Sequence, residues 1–421
     1  MCVDMIIVYS IRIKFNGAYV INCNTMRATE EIRFVYNSLM NKTEKKMLEI
    51  LKESQFGNGD VSFDDVELVS LLKEARHQSV LGLVLPFIPK KDLPGEYAHY
   101  SEIQMANHIR YLHEEDQLKK NLDTEKIPFV ILKGNAAAIY YKNPGQRSMG
   151  DVDFLVSEDN YARTQEVMLS AGYQLQHDEG ANHRHTSFSK NKQLFELHRR
   201  FSHDDVDIED IVSTGMKSRE IHTIDGYEFP MLPKLANGFV LLDHMRNHLK
   251  SGLGLRQVID WMMYVNAELD DEFWNTEFGS VANEKGMDTL AMATTKMCQK
   301  YLGLKDSITW CASANESICD ELMDCLLESG NFGRKQGSGS NIVTVSSAIK
   351  QEGLFRRLQR MGEYNWEAYK KHHWLKPFCW IYQGCRYIKQ GLKTKRNSSQ
   401  LREDAKRGKE RYELLKKLNI H

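Results

Sequence analysis

Two aspartates separated by one residue begin the segment 151–156 (DVDFLV). Side chains two residues apart on a β-strand point to the same face, so we expect Asp151 and Asp153 to lie side by side. Two neighbouring carboxylates repel each other unless a cation neutralises them. A divalent metal with oxygen ligands suits this purpose, and nucleotide phosphates commonly complete its coordination. The pair therefore predicts a site for Mg²⁺ or Mn²⁺ that also binds a nucleotide.

The residues before this pair favour phosphate binding. Residues 129–132 (FVIL) form an apolar run typical of a buried strand, and Lys133-Gly134 follows at once. An alanine-rich helix is predicted over 135–141, ended by the turn at 143–145. Gly134 lets a ligand approach the backbone, and the start of a helix offers N–H groups to a phosphate. Lys133 adds a positive charge at the same place.

The order LKG, short helix, tyrosine and RSMGDVDFLV resembles the uncharacterised bacterial nucleotidyltransferase family, within the DNA polymerase β-like superfamily. The resemblance implies an α+β fold, with a small mixed sheet and flanking helices embedded between helical N- and C-terminal regions. It also implies that Gly134 starts the helix that binds the triphosphate and that Asp151 and Asp153 bind metal. Lys133 stands where many members of the superfamily have another glycine.

A third acid is expected on a later strand. Residues 183–188 and 193–198, separated by a lysine-asparagine-lysine turn, are typical of a β-hairpin. On its second strand Glu196 and His198 share one face, opposite the apolar side chains. The resemblance places the third metal-binding carboxylate at Glu196 and makes His198 a candidate for the lining of the cleft. The alternative is an exposed strand glutamate without a catalytic role.

Two histidines lie in the helical pattern that follows. His244 and His248 are four residues apart and so share one helix face. The glutamate of an HExxH motif is missing, which excludes a metalloprotease. The two histidines are candidates to line the cleft, or they are structural.

Two arginines are candidates for binding phosphate. Arg256 follows the segment 252–254 (GLG), and its planar guanidinium suits a phosphate. Asp260, one helical turn on, is an alternative partner for it. Arg147 either neutralises charge near the aspartates or pairs with Asp151 across the loop.

Composition sets limits on the class of protein. The chain has 421 residues, 42% hydrophobic and 27% charged, as in a globular protein. Its eight cysteines form no CxxC pair, which predicts reduced thiols and a cytoplasmic protein. No run approaches the ~18 apolar residues of a membrane span. The net charge of −1 argues against a broad nucleic-acid surface, although residues 386–421 hold 12 Lys or Arg against 4 Asp or Glu.

The pattern along the chain predicts five regions. Residues 1–25 alternate like a strand without a nearby partner, so we expect a loose or misassigned extension, with Met26 as the native start. Within the second region, Met105, Ile109 and Leu112 predict the buried face of a helix. The regions are an extension at 1–25, a helical region at 26–125, a catalytic domain at 126–230, a helical domain completing the cleft at 231–330, and a C-terminal region at 331–421. The last comprises a mobile Gly/Ser-rich loop at 333–339, aromatic helices and a basic tail. That tail is a candidate contact for a membrane surface or an acidic partner, or the solvated face of an aromatic helical hairpin.

These observations predict a nucleotidyltransferase. Asp151, Asp153 and Glu196 would hold one or two Mg²⁺ ions, one activating the acceptor and the other stabilising the pyrophosphate leaving group. The substrate would be a nucleoside triphosphate; the acceptor, whether protein, RNA or small molecule, is not encoded in any motif. Two alternatives remain open. One is a DxD glycosyltransferase that holds a nucleotide sugar through a metal, and the other is a non-catalytic nucleotide-binding protein.

Overall fold

A computed structural model describes residues 40–57, 61–63, 65–178, 185–202, 206–393 and 397–420. The predicted extension at 1–25 and the proposed start at Met26 lie outside these residues. The account below concerns the compact unit Lys42–His421.

Seven strands form one mixed sheet, and the sequence-based prediction of an α+β fold with flanking helices is confirmed. The strands are β1 (Phe129–Leu132), β2 (Val152–Val156), β3 (Gln174–Asp178), β4 (His185–Lys190), β5 (Gln193–His198), β6 (Glu220–Ile224) and β7 (Tyr227–Met231). Their order across the sheet is β3-β4-β5-β2-β1-β7-β6. The β2–β5 and β1–β7 pairs are parallel, and the other neighbours are antiparallel.

Helices surround this sheet and continue beyond it. The α-helices are α1 (Lys42–Phe56), α2 (Leu68–His77), α3 (Leu81–Val84), α4 (Tyr100–Thr124), α5 (Gly134–Ala138), α6 (Glu158–Ser170), α7 (Glu209–Lys217), α8 (Lys234–Ser251), α9 (Leu255–Glu268), α10 (Asp271–Phe273), α11 (Gly279–Glu284), α12 (Asp288–Leu302), α13 (Glu316–Ser329), α14 (Ser340–Glu352), α15 (Leu354–Asn365), α16 (Glu367–Lys371), α17 (Cys379–Lys393) and α18 (Ser398–Lys417). A π-helix spans Trp274–Phe278, and 3₁₀ helices span Leu85–Phe87, Lys90–Asp92, Gly95–Tyr97, Pro144–Gln146, Asn331–Gly339 and His373–Phe378. No helix within the described residues is long and apolar enough to span a bilayer.

The two central strands bring the candidate site residues together. Every residue of β1 and β2 is buried, as expected for strands with both faces covered. In the antiparallel β1–β2 pair Leu132 lies opposite Asp153, so Lys133 follows directly beside that aspartate. In the parallel β2–β5 pair Asp153 lies opposite Glu196. Strand register therefore places one lysine and two carboxylates at the same point of the sheet.

Helix α4 covers the sheet with a face that differs from the predicted one. Leu112 is buried, but Met105 and Ile109 are 46% and 43% exposed. The buried face instead includes Tyr111, Leu118 and three polar residues, His108, Glu114 and Glu115. The apolar pattern is misleading here because polar side chains on the buried face have hydrogen-bonding partners on other elements.

Glu115 is a buried carboxyl group beside the site. It is 3% exposed and accepts a hydrogen bond of 2.9 Å from the amide of Asn135 on α5. Burial raises the pKa of Glu115 to about 7, although the Asn135 hydrogen bond opposes this shift. The folded protein therefore retains a proton that the unfolded chain loses near its ordinary pKa.

We expect the contribution of Glu115 to the free energy of unfolding to fall as the pH rises from about 4.5 to 7, because at this group the unfolded chain binds fewer protons over this range. The loss is on the order of 3 kcal/mol. Glu115→Gln keeps an acceptor for Asn135 and has no such proton, so its stability should exceed that of the wild type at pH 8 and match it at pH 4.5. Urea unfolding at both pH values measures this, with the exposed Glu166→Gln as the control. A wild-type stability that stays constant relative to Glu115→Gln would contradict it.

The C-terminal region is built from packed helices. The segment 333–339, predicted as a mobile Gly/Ser-rich loop, lies within the 3₁₀ helix Asn331–Gly339, and its mobility stays a prediction. Two backbone hydrogen bonds anchor the start of this helix. The N–H of Phe332 donates to the carbonyl oxygen of Gly252, and that of Gly333 donates to the carbonyl oxygen of Gly330. Helices α15 and α17 pack together as a hairpin, and α18 packs on α14.

Candidate metal and phosphate site

The ten residues proposed from the sequence line one cavity of about 320 Å³ between the sheet and helices α8 and α9. They are Lys133, Gly134, Arg147, Asp151, Asp153, Glu196, His198, His244, His248 and Arg256. The other residues of the wall are Gly150, His185, Phe201, Asn247, Ser251 and Phe332. One wall carries carboxylates from the sheet, and the opposite wall carries rings and amides from the helices.

The acidic wall has a compact centre. Asp153, Glu196 and His198 each place one potential ligand atom within 4.8 Å of the others. Asp151, which lies one residue before the start of β2 at Val152, lines the same cavity but does not belong to this group. Burial and the charge of Asp153 raise the pKa of Asp151 to about 6. The chain thus concentrates negative charge here in a place where water screens it poorly.

Asp153 is held by two basic side chains. Its Oδ1 lies 2.7 Å from Lys133 Nζ and 2.9 Å from His198 Nε2. Burial acts to raise the pKa of Asp153, but Lys133 and His198 outweigh it and lower that pKa. Burial likewise opposes the charged form of His198, and its bonds to Asp153 and Glu196 raise its pKa nonetheless. These partners orient the carboxylate before any ligand arrives.

Lys133 reaches the acids from an unusual backbone conformation. It lies between β1 and α5 with φ +51° and ψ −126°, a region that non-glycine residues rarely adopt. Burial acts to lower the pKa of Lys133, but Asp153 and Asp151 raise it, so the side chain carries a full charge. Strained backbone of this kind is concentrated at functional sites.

The two arginines differ in their partners. Arg147 donates from Nε and Nη2 to the two carboxylate oxygens of Asp260 at 2.7 and 2.8 Å, and both side chains are almost fully buried. Tyr141 donates to the same carboxylate at 2.7 Å. From sequence proximity, Asp151 is a predicted partner of Arg147, and Asp260 is a predicted partner of Arg256. The structure joins Arg147 to Asp260 instead.

Arg256 places a guanidinium group in the helical wall of the cavity. It donates one hydrogen bond of 3.1 Å to the carbonyl oxygen of Ser148, and within the described part of the chain it forms no ion pair. Burial and the nearby charge of Arg147 lower the pKa of Arg256. A buried guanidinium without a carboxylate favours an anionic ligand in the cavity.

The two histidines lie on one face of α8, as their spacing predicts. Their ring centroids are 4.4 Å apart with planes at 85°. Burial lowers the pKa of His244 well below its ordinary value, so this ring is neutral at pH 7. Asn247 and Ser251 share the same face, and a count of i+3 and i+7 positions from His244 would have identified them from the sequence.

The family of the chain follows from comparison with known sequences. The sequence model of a family described as uncharacterised nucleotidyltransferase matches residues 64–303. The chain belongs to this nucleotidyltransferase family. The matched segment contains the ten cavity residues proposed from the sequence, and Phe332 lies beyond it.

Comparison with solved structures found matches of low overall similarity. A crystal structure of ANT(2″)-Ia in complex with adenylyl-2″-tobramycin is 11% identical, covers 44% of this chain and 98% of that one, and has a TM-score of 0.31. A solution structure of ANT(2″)-Ia is also 11% identical, with coverage of 41% and 91% and a TM-score of 0.32. An antigenic nucleotidyltransferase-like protein from Paracoccidioides brasiliensis is 14% identical, with coverage of 47% and 94% and a TM-score of 0.30. No curated protein matches the sequence.

Proposed function

We propose that this protein transfers a nucleoside monophosphate from a nucleoside triphosphate to an acceptor. The acceptor atom forms a bond to the α-phosphorus and gives up its proton, and the bond to the β-phosphate oxygen breaks to release pyrophosphate. The observation that carries the proposal is the pairing of Asp153 with Glu196 on neighbouring parallel strands, inside a cavity that also holds Lys133 and Arg256. Membership in a nucleotidyltransferase family supports it.

The donor set fits a divalent metal. Asp151, Asp153 and Glu196 supply carboxylate oxygens at one side of the cavity, which are the ligands that Mg²⁺ and Mn²⁺ prefer. Lys133 and His198 neutralise only part of this charge. A metal bound here would neutralise the triphosphate and activate the acceptor oxygen.

The side chains of the protein have separate tasks in this reaction. His198 fixes the orientation of Asp153 through the 2.9 Å bond to its carboxylate. Lys133 and Arg256 bind the phosphates as charged donors, and the backbone at Gly134 lets the triphosphate approach. Arg147 has no direct contact with the substrate in this scheme, because its guanidinium already binds the carboxylate of Asp260 through two hydrogen bonds.

Incubation of the purified protein with each α-labelled nucleoside triphosphate and Mg²⁺ or Mn²⁺ tests the proposal. Total RNA, lysate protein and a small-molecule extract serve as acceptors, and Asp151→Ala, Asp153→Ala and Glu196→Gln serve as controls. Label transferred by the wild type and lost in the variants, with their folding checked by circular dichroism, supports transfer and identifies the class of acceptor. Neither transfer nor binding of a triphosphate would overturn the proposal. Binding of a nucleotide sugar instead would favour the glycosyltransferase alternative.

The C-terminal hairpin is a candidate surface for an anionic membrane. Phe355, Trp374, Phe378 and Trp380 are between 38% and 72% exposed, and residues 354–393 contain nine Lys or Arg against two Glu. Exposed aromatic rings combined with basic side chains are typical of helices that lie on a membrane surface. Cosedimentation with anionic vesicles, which neutral vesicles should not reproduce, checks this proposal. Equal binding to both would argue against it.

A further inference from the structure

Three aromatic rings form a row along the helical wall of the cavity. His244 packs on His248 at 4.4 Å, and His248 packs on Phe332 at 4.7 Å with the ring planes at 67°. We call His244, His248 and Phe332 the aromatic row. Phe332 is 54% exposed, so its ring remains largely open to a ligand.

Phe332 is held in this exposed position by its backbone. Its N–H donates to the carbonyl oxygen of Gly252 at 3.0 Å, and its φ of +55° is unusual for a bulky residue. The neighbouring Asn331 accepts a hydrogen bond of 3.0 Å from Gln257 and donates one of 2.7 Å to Ser79. Residues 331 and 332 are therefore held by hydrogen bonds to Gly252, Gln257 and Ser79.

The two glycines of the GLG segment make this position possible. A Cβ atom at Gly252 would lie 2.3 Å from the backbone nitrogen of Gly333, and one at Gly254 would lie 2.6 Å from Asn331 Cβ. Both contacts are closer than real Cβ atoms allow, so each glycine lets residues 331–333 approach. In the sequence this segment adjoins only Arg256, and its close contact with residues 331–333 is a feature of the tertiary structure.

The position of the row indicates the ligand. The cavity holds acids, Lys133 and Arg256 for the phosphate part of a nucleotide, and the aromatic row lines the same cavity. A nucleobase has two apolar π faces that stack on an aromatic ring. An exposed phenylalanine on strained backbone is otherwise unfavourable, since burying such a side chain stabilises the fold.

We propose that Phe332, supported by His248, is the stacking platform for the base of the bound nucleoside triphosphate. This inference rests on the proposed function, and it adds a base-recognition residue outside the segment that matches the family. Stacking is tolerant of base identity, so the platform contributes affinity for nucleotides as a class.

Direct binding of a nucleoside triphosphate and of inorganic tripolyphosphate to the full-length chain, each with Mn²⁺, separates the base from the phosphates. We expect Phe332→Ala to weaken triphosphate binding by about 5- to 150-fold, the range that corresponds to loss of one stacked base. Tripolyphosphate binding should change less than about twofold. Phe332→Tyr should restore nucleotide binding, because it restores the ring.

Two further variants make the outcome specific. Arg256→Ala should weaken the binding of both ligands, since it removes a phosphate contact. Phe56→Ala, which removes a 36% exposed ring outside the cavity, should weaken neither. Equal loss of both ligands in Phe332→Ala, or no loss of nucleotide, would overturn the platform. Failure of the wild type to bind either ligand would instead count against the proposed function.

Discussion

Asp153→Asn will lower the rate of nucleotidyl transfer by more than about 100-fold, because loss of even a supporting partner of a metal ligand costs 10- to 100-fold. The asparagine preserves the shape of the side chain and removes the charge that faces Lys133, His198 and Glu196. Initial rates with an α-labelled triphosphate measure the loss. Asp159→Asn, on the exposed surface of α6, is the matched control and should retain the wild-type rate.

The same substitution should also affect folding, which can be separated from catalysis. Lys133 is only 15% exposed and loses its nearest counter-charge in Asp153→Asn, although Asp151 and Glu196 remain near it. Adding Lys133→Met should recover stability in urea unfolding, because no buried ammonium remains unpaired. The double variant should still fail to transfer. Recovery of transfer in the double variant, or a normal rate in Asp153→Asn, would remove Asp153 from the proposed mechanism.

Asp260→Asn should lower the free energy of unfolding by about 3–5 kcal/mol, the cost of breaking a buried ion pair by removing one partner. Arg147 and Asp260 have side chains 3% and 1% exposed, so water cannot replace the lost carboxylate charge. Tyr141 also loses a charged acceptor for its hydroxyl hydrogen bond. Urea unfolding monitored by circular dichroism measures the change.

A double replacement distinguishes a lost charge from lost packing. Arg147→Met combined with Asp260→Leu removes both charges and keeps apolar volume, and such replacements are often neutral or stabilising. The double variant should therefore be more stable than Asp260→Asn. If Asp260→Asn alone stays within about 1 kcal/mol of the wild type, the pair does not stabilise the fold as a buried ion pair.

Local patterns predicted the central part of the fold well. Strand β1 begins and ends at the predicted residues 129 and 132, because a continuous apolar run followed by Lys-Gly has few alternatives. The hairpin of β4 and β5 follows from two short alternating runs around a tight turn. The position of Glu196 beside Asp153 came from alternation combined with the family resemblance, since the order of strands in a sheet is not written in either strand.

Contacts between residues far apart in the chain could not be predicted from the sequence. Arg147 and Asp260 are 113 residues apart, whereas Asp151 lies closer to Arg147 in the sequence and Arg256 lies closer to Asp260. Phe332 belongs to no motif in the sequence. Its position beside the cavity depends on the two glycines that let its segment approach α8. The buried face of α4 was missed for a related reason, since the partners of His108 and Glu115 lie on other elements.

The bond between Arg147 and Asp260 also bears on how substrates enter. Arg147 precedes β2 on the sheet side of the cavity, and Asp260 belongs to α9 on the helical side. Pulling these walls apart would separate a buried ion pair, so a hinge between them has a high energetic barrier. We therefore expect substrates to meet a cleft that is already formed, so that their apparent affinity is not reduced by a population of open molecules. Adaptation to different acceptors would fall to side chains at the rim, while the distance between the proposed metal ligands and Arg256, the proposed phosphate-binding residue, would stay constant.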